Sequence, residues 1–217
     1  MTKKLFFIYT NPRFMGVLYE PTLSNAFDKR DDVDVRFVLD DSLLADTAKN
    51  NQIPTPSVVR RLYALVENCA AGGADCVVVG CTAINLAVKQ LQGMVSVPLV
   101  GIDHPVADKV IASGAKKVVV VSHSKINAAT VARMMPGLQV DCIVPDEAAA
   151  LFAAKNWSEL EKLLYRTAEQ ADNDYDAVVF AHISTDSMRL LDGLPPRTFR
   201  IGAVAIDAIS AILQLPK

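Results

Sequence analysis

Histidine is scarce in this chain, with three among 217 residues, and no sign of charge is in excess: 22 Lys and Arg face 24 Asp and Glu, a net charge of −2. That balance offers no electrostatic footprint for nucleic acid or an anionic membrane, so neither is an expected partner. No apolar run approaches the roughly 20 residues of a membrane span. In the opening MTKKLFFIYTNPR, two lysines precede an apolar stretch too short for a signal-peptide core, so the expected compartment is the cytoplasm. The four cysteines, Cys69, Cys76, Cys81 and Cys142, make no CxxC pair and no zinc spacing with a histidine. The thiols are therefore expected to be reduced, and no metal is expected. Asp40, Asp41 and Asp103 are not at metal spacing with histidines either. GxGxxG, the Walker loop and HExxH are all missing, as are long linkers and low-complexity tracts.

What the chain does have is alternation. Strand-length apolar runs stand at 5–10, 33–39, 76–80, 98–102, 117–122, 138–144, 177–181 and 199–204. Helical patterns lie between them. One is PSVVRRLYALVENCAAGG (56–73), which ends on glycines; another is SELEKLLYRTAEQA (158–171), where Ser158 and Glu161 make a capping box. Nearly continuous apolar strands alternating with helices predict parallel sheets covered on both faces. Cys69, Cys76 and Cys142 fall inside these patterns, where a free cysteine acts as a small core hydrophobe.

The chain also repeats itself. DCVVVGCTA (75–83) aligns with DAVVFAHIS (176–184), so that Asp75 meets Asp176 and Cys81 meets His182. Without a gap the alignment continues to Gly101 over Gly202, and KKLFFIYTN (3–11) resembles KKVVVVSHS (116–124). The predicted architecture is α/β: two pseudo-symmetric doubly wound domains with parallel four-stranded sheets and an active site between them. The expected division is 1–113 and 114–217, with the last helix, 203–217, free to pack back on the first half.

Ligands of open parallel sheets bind outside the carboxyl ends of the strands. Thr10, Asn11 and Arg13 follow the first strand, Cys81 and Thr82 the third, and Asp103 and His104 the fourth. In the second half Ser122, His123 and Ser124 follow the first strand, and His182, Ser184 and Thr185 the third. All three histidines thus stand at strand ends, where helix capping is the plain alternative to chemistry. Cys81 precedes the helical stretch TAINLAVKQLQ, and a helix N-terminus lowers the pKa of a thiol. Its plain alternative is a buried inert thiol, as capping is for Thr82. Thr10, Asn11, Thr82, Ala83, Ser122, Ser124 and Ser184 are placed to offer hydroxyl, amide and N–H groups to a carboxylate, and Arg13 a guanidinium. A hydrolytic Cys–His pair remains open at this point.

On the segment VVVGCTAINLAVKQLQGMVSVPLVGIDHPVADKV (77–110) and the matching FAHISTDSM (180–188), the chain resembles the aspartate/glutamate racemase superfamily, with hydantoin racemases, maleate isomerase and arylmalonate decarboxylase. The resemblance implies cofactor-independent chemistry at the carbon next to a carboxylate, on an amino acid or dicarboxylate, in a homodimer. It implies that Cys81 is the first catalytic cysteine and that Thr10, Asn11, Thr82 and Ser122 are substrate-binding positions. The second cysteine of the family is His182 here, and the first-strand loop TNPRFMG differs from those of the amino-acid racemases. A decarboxylase or cis–trans isomerase using Cys81 alone, or a silent carboxylate-binding homologue, are the alternatives. Substrate size would depend on residues such as Phe14, Met15, Tyr19 and Met188.

Overall fold

The computed structural model describes residues 2–12, 22–51 and 53–216. Arg13, Phe14, Met15 and Tyr19 lie outside the described residues. In chain order the elements are β1 (Lys3–Tyr9), α1 (Ser24–Phe27), β2 (Val33–Leu39), α2 (Ser42–Lys49), α3 (Pro56–Ala71), β3 (Cys76–Val79), α4 (Asn85–Leu91), β4 (Leu99–Gly101), α5 (His104–Ala112), β5 (Lys117–Val121), α6 (Lys125–Arg133), β6 (Gln139–Ile143), α7 (Ala148–Ala153), α8 (Trp157–Ala171), β7 (Ala177–Phe180), β8 (Thr198–Arg200) and α9 (Ile201–Leu213). They build two parallel four-stranded sheets of the same order, β2-β1-β3-β4 and β6-β5-β7-β8. The chain divides into one unit up to His104 together with the residues from Ala205 on, and a second unit, Pro105–Val204. The division falls at the start of α5 rather than after residue 113, and again within α9.

In the first unit, β1 pairs with β2 on one side and β3 on the other, and β3 pairs with β4. Every residue of β3 is buried, as a strand covered on both faces must be. Helix α3 turns Val58, Leu62, Val66 and Cys69 onto this sheet, a spacing that follows one helical face. It starts where Thr55 Oγ1 accepts the N–H of Val58 at 3.3 Å, with Pro56 at its first position. It ends at Gly72-Gly73, where Gly73 takes φ +82°. The C-terminal residues add a hydrogen bond from Arg30 Nη1 to the carbonyl of Pro216, 3.3 Å.

The second unit repeats the plan, with β5 between β6 and β7 and β8 outside β7. All of β7 is buried, and α8 covers the sheet with Leu160, Leu164, Ala168 and Ala171. The cap of α8 is Asn156, whose Oδ1 accepts the N–H of Glu159, and not the predicted Ser158; the helix begins at Trp157, so Ser158 is already inside it. Cys142 is exposed rather than a core residue, because β6 is an edge strand with mostly outward positions. The last strand is shorter than predicted: Ile201 opens α9, since the Asp186 carboxylate accepts the N–H groups of Gly202 and Ala203 at 2.9 and 2.7 Å and so caps a helix there.

The aspartates that open each repeat do the same work. Asp75 Oδ2 accepts the N–H of Lys4 at 2.8 Å, and Asp176 Oδ2 those of Lys116 and Lys117 at 2.8 Å. Each ties the start of its third strand to the start of its first. At the other end the fit differs. Gly80 lies opposite Tyr9, and a Cβ on Gly80 would meet Tyr9 Cε1 at 2.5 Å. Tyr9 is 2% exposed and stacks on Phe7 and Phe37, so its ring has nowhere to go. In the second unit the register that pairs Val121 with Phe180, carried one residue on, sets Ala181 against the small Ser122. We therefore expect Gly80→Ala to destabilise the first unit by about 1–3 kcal/mol through overpacking, read as a lower midpoint in urea denaturation, with an unchanged midpoint refuting the packing account.

Candidate active site

In both sheets the connection after the first strand leads to one edge and that after the third to the other, the switch point at which open parallel sheets have a crevice outside the carboxyl ends of those two strands. Thr10 and Asn11 follow β1 and Cys81 follows β3, which brings Thr10, Cys81, Thr82 and Ala83 together in the first unit. Thr10 is 1% and Cys81 4% exposed, while Asn11 is half-buried beside them. Cys81 is extended, and its carbonyl accepts the N–H of Ile84 at 3.2 Å to start a single 3₁₀ turn, Thr82–Ile84, before α4.

The thiol does not have the lowered pKa that the sequence suggested. Burial pushes it up, and the nearby Asp103 carboxylate pushes the same way. The Thr10 hydroxyl and the N–H groups of Ala83 and Ile84 pull it back by favouring the thiolate. The reason for the difference is burial of the sulfur, and the α-helix expected to start near it begins only at Asn85. Thr82 is inside that turn rather than a side-chain cap. Thr10 Oγ1 is buried, and the Cys81 sulfur is the group it faces.

Behind Cys81 lies a polar network that the sequence reading did not assemble. Asn85, fully buried, donates from Nδ2 to Asp103 Oδ1 in a short contact. The carbonyl of Asn85 accepts from His104 Nε2 at 3.1 Å, and His104 Nδ1 lies 3.4 Å from Gln92 Nε2. Gly101 makes room for this: a Cβ there would stand 2.9 Å from His104 Nε2 and 3.0 Å from Asn85. His104 is thus held on both nitrogens as a structural residue. Asp103 is fully buried, and burial pushes its carboxyl up to about 7 despite hydrogen bonds from Asn85 and Thr82. A buried polar residue inside an apolar helix, Asn85, was the available signal.

In the second unit Ser122, His123, Ser124, His182 and Ser184 gather at the ends of β5 and β7. Ser122 Oγ accepts the N–H of Ser124 at 3.1 Å, and Ser124 Oγ caps α6 by accepting the N–H of Asn127 at 3.4 Å. His182 is 7% exposed; its Nδ1 accepts the N–H of Ser184 at 3.2 Å and lies 2.7 Å from Ser184 Oγ. His123 meets His182 edge-on, with ring centroids 4.4 Å apart, and stacks on Phe152 at 3.8 Å. Burial depresses His182 well below the ordinary histidine value, with the neighbouring His123 adding to it, and burial takes His123 down to about 4. Phe152 carried no sequence signal, since α7 is short and lies between strands. Beside these rings a cavity of about 520 Å³ is lined by His123, Ser124, Lys125, Val144, Pro145 and Phe152, among others. Among the described residues, no three His, Cys, Asp or Glu side chains are grouped to hold a metal, and no helix is long and apolar enough to cross a membrane.

The Asp103 carboxyl sets a pH dependence whose sign follows from linkage. Its folded value is raised above the unfolded one, so the neutral form is the one the fold prefers. The stability it contributes is complete below about pH 4 and is lost as the pH rises to about 7. Asp103→Asn, which keeps an acceptor for Asn85, is expected to gain on the parent between pH 5 and pH 8 in urea denaturation. An equal stability difference at both values would show that Asp103 ionises freely.

The family model for Asp/Glu/Hydantoin racemase matches residues 16–179. A sequence search of curated proteins finds no match. Similar solved structures include an aspartate racemase homologue from Pyrococcus horikoshii, with TM-score 0.67 and 13% identity over 99% of this chain and 100% of that one. Allantoin racemase from Klebsiella pneumoniae gives 0.67 and 11%, over 99% and 89%. Unliganded arylmalonate decarboxylase gives 0.57 and 14%, over 100% and 95%. At these identities the structures establish the shared fold, and together with the sequence match they make the chain a member of the Asp/Glu/Hydantoin racemase family.

Proposed function

We propose that this chain is a cofactor-independent isomerase of the racemase type, acting at the carbon next to a carboxylate of a small amino acid or dicarboxylate, with Cys81 and His182 as its acid–base residues. The observation that carries the reading is equivalence. Cys81 and His182 are the second residues beyond the third strand in two sheets of the same order, each is buried, and each has the amide two residues on directed to it. The racemases among its structural neighbours and its family membership support the same chemistry.

Removing a proton next to a carboxylate leaves negative charge on the carboxyl oxygens, and donors placed for that charge lower the barrier. Thr10, Asn11, Thr82, Ala83, Ser122, Ser124 and Ser184 are the proposed donors. Cys81 rests as a thiol, because burial raises its pKa, and the Thr10 hydroxyl with the Ala83 and Ile84 amides makes the thiolate reachable. A group held in that balance can take a proton from carbon and return it.

A second reading, decarboxylation with Cys81 as the sole proton donor, is favoured by one observation: Nδ1 of His182 is already engaged by Ser184. The two readings separate in heavy water. Dicarboxylates and amino acids incubated with the protein are expected to gain α-deuterium, and Cys81→Ser to slow that exchange by about 10²–10⁴-fold. CO2 release without exchange into the starting acid would select the decarboxylase. A Cys81→Ser variant as active as the parent would exclude both.

A further inference from the structure

The cavity beside His123 is lined only by residues of the second unit. Its volume, about 520 Å³, falls within the roughly 300–1,000 Å³ of small-molecule sites. Its charged groups come from two different loops. Lys125 opens α6 after β5, and Asp146 lies between β6 and α7. Both side chains are exposed, and neither takes part in an ion pair among the described residues. At the start of α6 the N–H groups of Lys125 and Ile126 have no acceptor within the helix, whereas that of Asn127 is taken by Ser124 Oγ. Apart from His123 and Ser124, the rest of the lining is apolar: Ile126, Val144, Pro145, Ala149 and Phe152.

His123 points to a ligand independently of the helix start. It is 6% exposed, and its ring lies flat on Phe152, with planes 5° apart. Its Nδ1 is buried without a hydrogen-bond partner among the described residues. A polar nitrogen buried in that state is destabilising until a partner meets it. Burial takes the His123 pKa down to about 4, so at neutral pH the ring is uncharged and Nδ1 can carry its one proton as a donor.

We propose that this cavity binds a small acid with a single carboxylate and a compact apolar body. The carboxylate is held by the first amides of α6, Lys125 and His123 Nδ1, and the body lies against Phe152, Val144 and Pro145. The donors suit an anion, since a helix start and an ammonium group both favour negative charge. The apolar walls suit hydrocarbon and offer a second carboxylate nothing. Asp146 repels one as well, so a dicarboxylate is disfavoured. The proposal rests on the reading above for the carboxylate, because Ser124, one of the donors named there, lines the cavity. It narrows the amino acid or dicarboxylate of that reading to acids with one carboxylate.

The test is a 1H–15N NMR titration of the full chain at pH 7 with isovalerate and with glutarate, which match in carbon number and differ in charge. With isovalerate the amide signals of Lys125 and Ile126 are expected to shift and saturate, and glutarate to bind at least about tenfold more weakly. Lys125→Gln is expected to weaken isovalerate about tenfold, and so is His123→Phe, which keeps a flat ring against Phe152 and removes the nitrogen. Asp146→Asn is expected to improve glutarate binding and leave isovalerate unchanged. Shifts that do not saturate, glutarate binding as tightly as isovalerate, or a Lys125→Gln variant with the parent affinity would each overturn the proposal. Lys125 is exposed, so its variant decides the matter even if His123→Phe does not fold. The titration needs no turnover. Saturable binding without deuterium exchange would sink the acid–base reading and keep this site, while exchange without binding here would sink the site alone.

Discussion

The first strand of each sheet is shared. In the first unit Leu5 pairs with Val35 on one side and Cys76 on the other, and in the second Val118 pairs with Val140 and Ala177. In that order the chain leaves the first strand toward one edge and the third toward the other, and the third strand is buried on both faces. Whatever follows the third strand therefore emerges from a dry interior at the carboxyl edge of the sheet, where the connections after the first and third strands diverge. Cys81 and His182 are both held there, and their burial shifts both pKa values toward the uncharged form.

A desolvated titratable group persists when donors and acceptors are already in place around it. The first unit does this with an extended network, in which Asn85 links Asp103 to His104 and Gly101 gives them space. One repeat further on, the position of Asn85 is taken by Asp186, which turns instead to the amides of Gly202 and Ala203. The two units thus use the same position differently: a polar web behind a thiol in one, a cap for a later helix behind an imidazole in the other. Side-chain volume is redistributed in the same way, with Tyr9 facing Gly80 in the first unit and Ser122 facing Ala181 in the second.

The alternating apolar runs showed the strands because parallel strands buried on both faces leave a continuous apolar signature. The same rule misled at the margins. VDCIV reads as core although β6 is an edge, so Cys142 is exposed, and FRIGAV reads as one strand although Asp186 starts a helix at Ile201. The repeat made Cys81 and His182 visible as counterparts, since it compares positions rather than residue types. The pKa of the thiol was not legible: a helix pattern beginning near Thr82 does not reveal that the α-helix starts three residues later or that the sulfur is dry. Phe152 and the Asn85–Asp103 contact depend on packing between segments far apart in sequence, which one-dimensional spacing does not encode.

The amide two residues beyond the pivotal position is main chain in both units, contributed by Ala83 in one and Ser184 in the other. No side-chain substitution short of proline can remove it. The fold therefore behaves as a socket that supplies a fixed donor and accepts different plugs. A buried thiol in it has the effect of its burial partly offset; an imidazole in it accepts at Nδ1. Divergence at that one side chain changes which group meets the fixed donor while leaving the backbone that supplies it untouched.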